Sequence, residues 1–337
     1  MPSVLECRVD SILEKALAAP LNLSHGDILE ILALRDERLL ERVFASSREA
    51  ARRAGRDKPL KRALIETSNV CSKDCLYCGI RKSCSVPRYT MSESEVAHSV
   101  SRARAEGFDA VAFQGGEIES ETNCVYYERA LALAAGMEVT LSLGEQQESV
   151  YRRWKEAGAM RYLLRIETSN KDLYGRLHPS DCSFERRVDC IKALKRLGYV
   201  TGTGVMIALP GQTLEDLASD MVFFGSVGAD MVGMGPWIAH EATPLASCRD
   251  VCGDPLDLTF KMIALARLYL HDVNIVAASA LDVLAPGEGR ARAFAAGANV
   301  MMPNFTPPAQ GSATAEQCIT GYYESANGCY QPKYMLL

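Results

Sequence analysis

From about Lys61 onward, short apolar runs alternate with amphipathic stretches. The first runs are Ala63-Leu64-Ile65, Ala110-Val111-Ala112-Phe113, Val139-Thr140-Leu141-Ser142 and Tyr162-Leu163-Leu164. They continue with Gly204-Val205-Met206-Ile207, Met231-Val232-Gly233, Ile275-Val276-Ala277-Ala278 and Val300-Met301-Met302. Such short, non-alternating runs are what strands covered by helices show. The amphipathic stretches carry helix-start signals at Thr90 or Ser92, Ser183 and Thr213. Gly107, Gly158, Gly198 and Gly228 each follow a helical stretch, where a left-handed terminal residue is expected. Eight strand–helix alternations predict an α/β chain folded as one TIM-type (β/α)8 barrel over residues 61–310. Residues 1–60 read as a helical cap across its bottom, and 311–337 as a tail closing it. An open doubly wound sheet is the competing architecture, which strand counting does not separate.

Composition narrows the class. The 337 residues are 48% hydrophobic and 23% charged, as expected of a globular protein with ample core material. A formal charge of −5 argues against a nucleic-acid surface, which needs clustered Lys and Arg. No run approaches the roughly 18–20 apolar residues of a membrane span. The start, with Glu6, Asp10 and Glu14 in an amphipathic pattern, lacks the basic and unbroken apolar character of a secretory signal. A cytoplasmic protein is expected, or one of an anaerobic organelle in a eukaryotic source.

Chemistry concentrates in three of the twelve cysteines. Cys71, Cys75 and Cys78 have C-x3-C-x2-C spacing in the loop after the first strand. Thiolates so placed converge on one inorganic centre. A structural zinc site takes four closed ligands; Cys84, six residues on, could complete four, so zinc stays open as the alternative. A [4Fe–4S] cluster on three cysteines leaves one iron free for a small molecule. Cys7, Cys84, Cys124, Cys182, Cys190, Cys248 and Cys252 read as packing or surface thiols. The five histidines form no metal constellation, and His178 reads as a solvated or helix-capping residue.

The triplet with Tyr77 inside it, following a first barrel strand, resembles the radical SAM superfamily. That resemblance implies a [4Fe–4S] cluster whose open iron chelates S-adenosylmethionine (SAM), with reductive cleavage to a 5′-deoxyadenosyl radical. It places Tyr77 near adenine. Gln114-Gly115-Gly116-Glu117, ending the second strand, resembles the superfamily's GGE loop, where glycine lets backbone carbonyls approach the methionine amino group. Longer stretches narrow the resemblance: Val139–Glu145, Arg161–Asn170, Leu209-Pro210-Gly211-Gln212-Thr213, Met231–Pro236 and Gly297–Asn304. Together they resemble the HydE-type [FeFe]-hydrogenase maturases, relatives of biotin synthase and methylornithine synthase, over roughly residues 20 to 310.

The resemblance implies further SAM-binding positions at Ser142, Arg165, Glu167 and Arg187, beside Gly115, Gly116 and Glu117. An Arg forks onto a carboxylate, and a carboxylate accepts from ribose hydroxyls. An ion pair between Arg165 and Glu167 is the competing reading. Arg161, Ser279 and Gln114 are implied at the catalytic, substrate-holding end; a surface Arg at the bottom rim is the alternative for Arg161. Ala278-Ser279 stands where the family carries two threonines, and Gly115 where a serine can occur. Some family members carry a C-terminal cysteine set for a second cluster; with only Cys318 and Cys329 here, none is expected. The implied substrate is a small or organometallic molecule on the way to the hydrogenase H-cluster, and the implied partners are other maturation proteins. A methylornithine-synthase-like mutase and a non-catalytic iron–sulfur carrier are the rival functions.

Overall fold

The computed structural model describes residues 3–307 and the backbone of 322–324 and 330–332. Its centre is a ring of parallel strands: β1 (Leu60–Lys61), β2 (Ala63–Ser68), β3 (Ala110–Gly115), β4 (Glu138–Ser142), β5 (Ala159–Leu163), β6 (Val200–Thr203), β7 (Met206–Ile207), β8 (Met231–Pro236), β9 (Asn274–Ala277) and β10 (Val300–Met301). Neighbours follow chain order from β2 to β6, then β8, β9, β10 and back to β1, while β7 pairs with β8 alone. The seam closes along the first strand. Leu60 pairs with Val300, Arg62 N–H donates to Met301 O at 3.0 Å, and Leu64 N–H donates to Pro303 O at 2.9 Å. β1 and β2 are two halves of one strand, and the barrel reading holds over the open sheet.

Every expected strand is found, with one displacement. The fifth begins at Val200, four residues before the apolar run, and β6 bridges β5 and β8 there. Tyr162 points outward, against Tyr151, Trp154 and Tyr199. Alternation therefore turns Arg161 and Leu163 inward.

The outer helices are α4 (Glu93–Ala105), α5 (Glu121–Leu133), α6 (Glu148–Glu156), α7 (Lys171–Leu177), α8 (Phe184–Arg196), α9 (Leu214–Ser226), α10 (Pro255–Leu270), α11 (Ala280–Leu284) and α12 (Gly289–Ala296), with α1–α3 preceding the barrel: α1 (Val4–Ala18), α2 (His25–Ala33) and α3 (Glu37–Arg53). Of the two candidate caps, Ser92 is the one that caps α4, in a capping box with Glu95. Thr213 and Asp216 form the same device at α9, and Ser183 caps α8. All four helix-ending glycines take positive φ.

α1–α3 pack against α9, α10 and α12. They also meet the turns entering β9 and β10: His271 Nε2 lies 2.7 Å from Ala16 O, and Ser47 Oγ donates to Ala296 O at 2.7 Å. α10, covered by the barrel on one side and α3 on the other, is buried almost all round. The expected closing tail, with Cys318 and Cys329, lies outside the described residues but for the antiparallel pair Tyr322–Glu324 and Tyr330–Pro332.

Candidate active site

The loop after β2 carries the three cysteines at the C-terminal mouth of the barrel, where enzymes of this architecture keep their chemistry. Backbone bonds fix its course. Ser72 N–H and Oγ both donate to Glu117 O at 2.8 Å, and Leu76 N–H donates to Leu177 O at 2.8 Å. Asn69 accepts from Tyr89 N–H at 2.8 Å and donates to Pro87 O at 2.8 Å, tying down the incoming strand end.

All three thiols are free and half-buried. Burial pushes the Cys71 and Cys75 thiols up, and Cys78 to about 12. For Cys75, the next causes are the neighbouring thiolates Cys78 and Cys182. Metal ligation requires the deprotonated form, so a centre bound here would displace these protons. The loop itself offers a sign of fit. Cys71 Sγ accepts from the backbone N–H of Lys73 at 3.4 Å and of Glu117 at 3.3 Å. Amides aimed at sulfur stabilise ligated thiolate and tune cluster potential. Among the described residues no three His, Cys, Asp or Glu side chains stand close enough to grip one metal ion. The fit to an inorganic centre therefore rests on the loop spacing and these amides.

Glu117 and its loop lock onto the cysteines. A Cβ on Gly116 would fall 2.2 Å from Val70 O and 2.8 Å from the Cys71 Cβ. Glycine is thus required at 116 by the cysteine loop itself, a stronger reason than ligand access. A Cβ on Gly115 would fall 2.6 Å from the Tyr127 hydroxyl, which accounts for glycine where a serine can occur. Gln114 lies between Glu66 and Ser142 in register, the three forming one row across β2, β3 and β4.

Beside this row stands a buried network of charge. Arg187 Nε donates to Glu145 at 2.6 Å, Nη1 to Arg165 O at 3.0 Å, and Nη2 approaches Glu117 at 3.5 Å. Lys73 lies 3.6 Å from Glu117, and Arg186 2.9 Å from Glu145. Burial pushes the Glu117 carboxyl up, against the pull of Arg187. Its Oε2 accepts from Glu145 N–H at 2.8 Å, while the buried Oε1 faces the Lys73 ammonium at 3.6 Å and has no hydrogen-bond donor among the described residues. Arg165 forks onto Glu167 at 2.9 and 2.7 Å, making the ion pair that was the competing reading. Glu167 holds φ +67°, a strained value for a residue with a side chain.

Tyr77 is buried, its hydroxyl 2.8 Å from His178 Nε2. His178 Nδ1 lies 2.9 Å from Tyr174 O, which only accepts, so Nδ1 carries the proton and Tyr77 donates to Nε2. The imidazole stacks on Tyr174 at 3.8 Å. His178 caps the end of α7 as expected, but its ring is buried instead of solvated.

The three substrate-end candidates lie apart. Gln114 is inside the barrel at the level of Ser142. Arg161 is one layer lower, its guanidinium 2.6 Å from Glu138 at the strand's entry end. Its Nε is buried without a hydrogen bond, as are Thr140 Oγ1 and Thr203 Oγ1. Ser279 precedes α11 at the opposite wall, half-buried and making no cap bond.

Comparison with known proteins fits this geometry. The Radical SAM superfamily profile matches residues 65–224, from β2 through most of α9. The chain is 44% identical over 280 residues to the [FeFe] hydrogenase maturase subunit HydE of Thermotoga maritima, covering 82% of this chain and 79% of the relative. The chain belongs to the HydE family. It is a radical SAM enzyme, and its cofactors are a [4Fe–4S] cluster and SAM. More distant likeness runs to 3-methylornithine synthase of Methanosarcina acetivorans, 24% identical over 83% of this chain and 79% of that one. The crystal structure of methylornithine synthase (PylB) superposes with TM-score 0.77 at 22% identity, over 91% of this chain and 89% of that chain, and shares the fold. No described helix is long and apolar enough to cross a membrane.

Lys73, Glu145 and His178 belong to the site and went unremarked as functional in the sequence. Glu145 had a usable signal, since it follows Gly144 at the end of the third strand run. Lys73 had only its place inside the cysteine loop, and His178, far along the chain from it, had none.

Proposed function

We propose that this HydE-family enzyme acts in assembly of the [FeFe]-hydrogenase H-cluster on a small or organometallic substrate held inside the barrel. The observation that carries the reading is the cysteine loop, braced by Gly116 and Glu117 with two amides on Cys71. Cys71, Cys75 and Cys78 would hold the [4Fe–4S] cluster; with SAM bound, the pair supplies one-electron reductive cleavage of the sulfonium.

The chain's own groups supply the rest. Glu117 Oε1, buried with only the Lys73 ammonium beside it at 3.6 Å and no hydrogen bond, suits the methionine ammonium. Arg165 and Arg187 offer guanidinium charge to the carboxylate, and Glu167 offers acceptors to ribose hydroxyls. Tyr77 is held edge-on by His178, presenting its ring for the adenine, with Ser142 and Gly115 on the strand ends beneath. Ser279 at the mouth and, deeper in, Gln114 and the unpaired donors around Arg161 suit a polar or anionic substrate. Barrel walls keep water and oxygen from the reacting atoms.

The remaining partners would be other hydrogenase maturation proteins, in the cytoplasm of the source cell. Anaerobically reconstituted protein should show one [4Fe–4S] centre whose spectrum SAM perturbs, and Cys75→Ala should abolish both it and 5′-deoxyadenosine formation. SAM cleavage persisting in that variant would overturn the cluster assignment. Restoration of hydrogenase activity in a host lacking its own HydE tests the biological role, and a methylornithine-synthase-like mutase would fail it.

A further inference from the structure

Asp220 lies in the middle of α9, fully buried, with no cation within hydrogen-bond reach among the described residues. Its Oδ1 accepts from Ser169 N–H at 2.5 Å and from Ser169 Oγ at 2.6 Å. Its Oδ2 is 3.5 Å from Gln212 Nε2, and Gln212 also donates to Met206 O at 3.1 Å. One turn earlier, Asp216 accepts from Asn170 Nδ2 at 2.7 Å, and Asn170 caps α7. Two carboxylates on one face of α9 thus grip the turn that follows β5. Asp216 also serves the α9 capping box, whereas Asp220 has no duty except the turn and Gln212.

A core position in a helix is ordinarily apolar, and a buried carboxylate without a cation costs stability. Burial pushes its carboxyl up to about 7, with Asp216 and Glu167 adding like charge. What the carboxylate does hold is Ser169, two residues beyond Glu167. Glu167 keeps φ +67° with its N–H on Gly204 O at 3.0 Å and its carbonyl accepting from Met206 N–H at 3.2 Å. A strained residue persists where its surroundings over-determine it. Gln212, bonded to Met206 O, links the same carboxylate to the other side of that backbone bridge.

We infer that Asp220 is a positioning residue for SAM binding: by clamping Ser169 and Gln212 it holds Glu167, and with it the paired Arg165, in the geometry that receives the nucleoside. This rests on the assignment of Arg165 and Glu167 to the SAM site proposed above. Stability is given up in α9 to keep two side chains in place at the barrel mouth.

The test uses the reconstituted holoprotein with Asp220→Asn, Asp220→Leu and Ser169→Ala, at pH 8. Thermal midpoint, iron content and the spectrum of the reduced cluster without SAM are measured beside SAM affinity by titration. Asp220→Asn and Asp220→Leu are expected to keep full iron content and the SAM-free spectrum, with a midpoint equal to or above that of the unmutated protein. For Asp220→Leu, which loses every acceptor for Ser169, the SAM dissociation constant should rise about tenfold; for Asp220→Asn, whose oxygen still accepts from Ser169 but whose amide nitrogen meets Gln212 Nε2, and for Ser169→Ala, it should rise about threefold, with SAM cleavage at saturation largely retained. SAM affinity equal to the unmutated protein's overturns the proposal. So does weakened SAM binding that merely tracks a lowered midpoint, since that is a packing role; Asp220→Asn, nearly isosteric, guards against misfolding of the Leu variant. If the unmutated holoprotein itself shows no SAM-dependent change, the Arg165–Glu167 assignment falls first, and this proposal with it.

Discussion

At the scale of single residues, the cysteine loop stands on one missing methyl group. Gly116 faces backbone, Val70 O at 2.2 Å from a hypothetical Cβ, so nothing flexible can yield. Gly116→Ala must push the 70–71 peptide away and withdraw the Glu117 amide from Cys71 Sγ. A fold built on a closed barrel survives this, but the triad opens. Iron content after anaerobic reconstitution is expected to fall several-fold while the circular dichroism spectrum stays intact; full iron loading would show that the loop is not braced there. Much of this site was legible in the sequence, because three cysteines within eight residues are confined to one loop whatever the rest of the chain does. Glu145, Lys73 and His178 were not, because their roles come from elements that meet only after folding. Arg165 and Glu167 were placed at the right strand end and their ion pair was the competing reading there, but the positive φ at 167 beside it is announced by no spacing. Arg161 points inward as alternation implied, but its partnership with Glu138 joins two strands and so has no local signature.

At the scale of elements, strands covered by helices announce themselves through Val, Ile, Leu and Phe, and β2, β3, β4, β8 and β9 did so. β6 did not. Val200-Thr201-Gly202-Thr203 looks like a turn, since glycine inside a strand is ordinarily a weakness. Here it is a packing device. A Cβ on Gly202 would fall 2.8 Å from Leu163 Cδ1 and 3.0 Å from Met231 Cε, the side chains that fill the barrel at that level. Just beyond, a Cβ on Gly204 would fall 1.8 Å from Gly233 O. The sheet closes tightly because these positions lack side chains, and local propensity cannot see the neighbours that demand it. Gly204→Ala forces backbone against backbone and is expected to cost about 3 kcal/mol or more. Chemical denaturation should show this as a lowered midpoint with unchanged slope, whereas a shift under about 1 kcal/mol would mean that the β6–β8 approach relaxes freely.

At the scale of the whole molecule, two buried groups set opposing pH dependences that hide one another. Burial, followed by the nearby Arg187, lowers His178 from 6.5 to about 3, so the folded chain keeps the ring neutral. Its contribution is present above pH 6.5 and is lost as pH falls towards 3. Asp220 runs the other way, since burial raises it from 3.8 to about 7. Its contribution is present below pH 4 and is lost as pH rises to 7. Between pH 6.5 and 5 the unfolded chain binds a proton at the histidine that the native chain refuses, and the native chain binds one at Asp220 that the unfolded chain refuses. Each slope is about 1.4 kcal/mol per pH unit, with opposite sign, so these two contributions nearly cancel in the unmutated protein across this window. Each single variant uncovers the other group. Asp220→Asn should lose stability, relative to the unmutated protein, by about 1.4 kcal/mol per unit as pH falls from 6.5 to 5. His178→Gln, which still offers Tyr77 an acceptor, should gain by the same amount over the same range. Groups common to all three proteins, Glu117 among them, cancel in these differences. Denaturant titrations at half-unit steps decide the matter: parallel curves for all three proteins would mean that neither group is held in the protonation state its burial dictates.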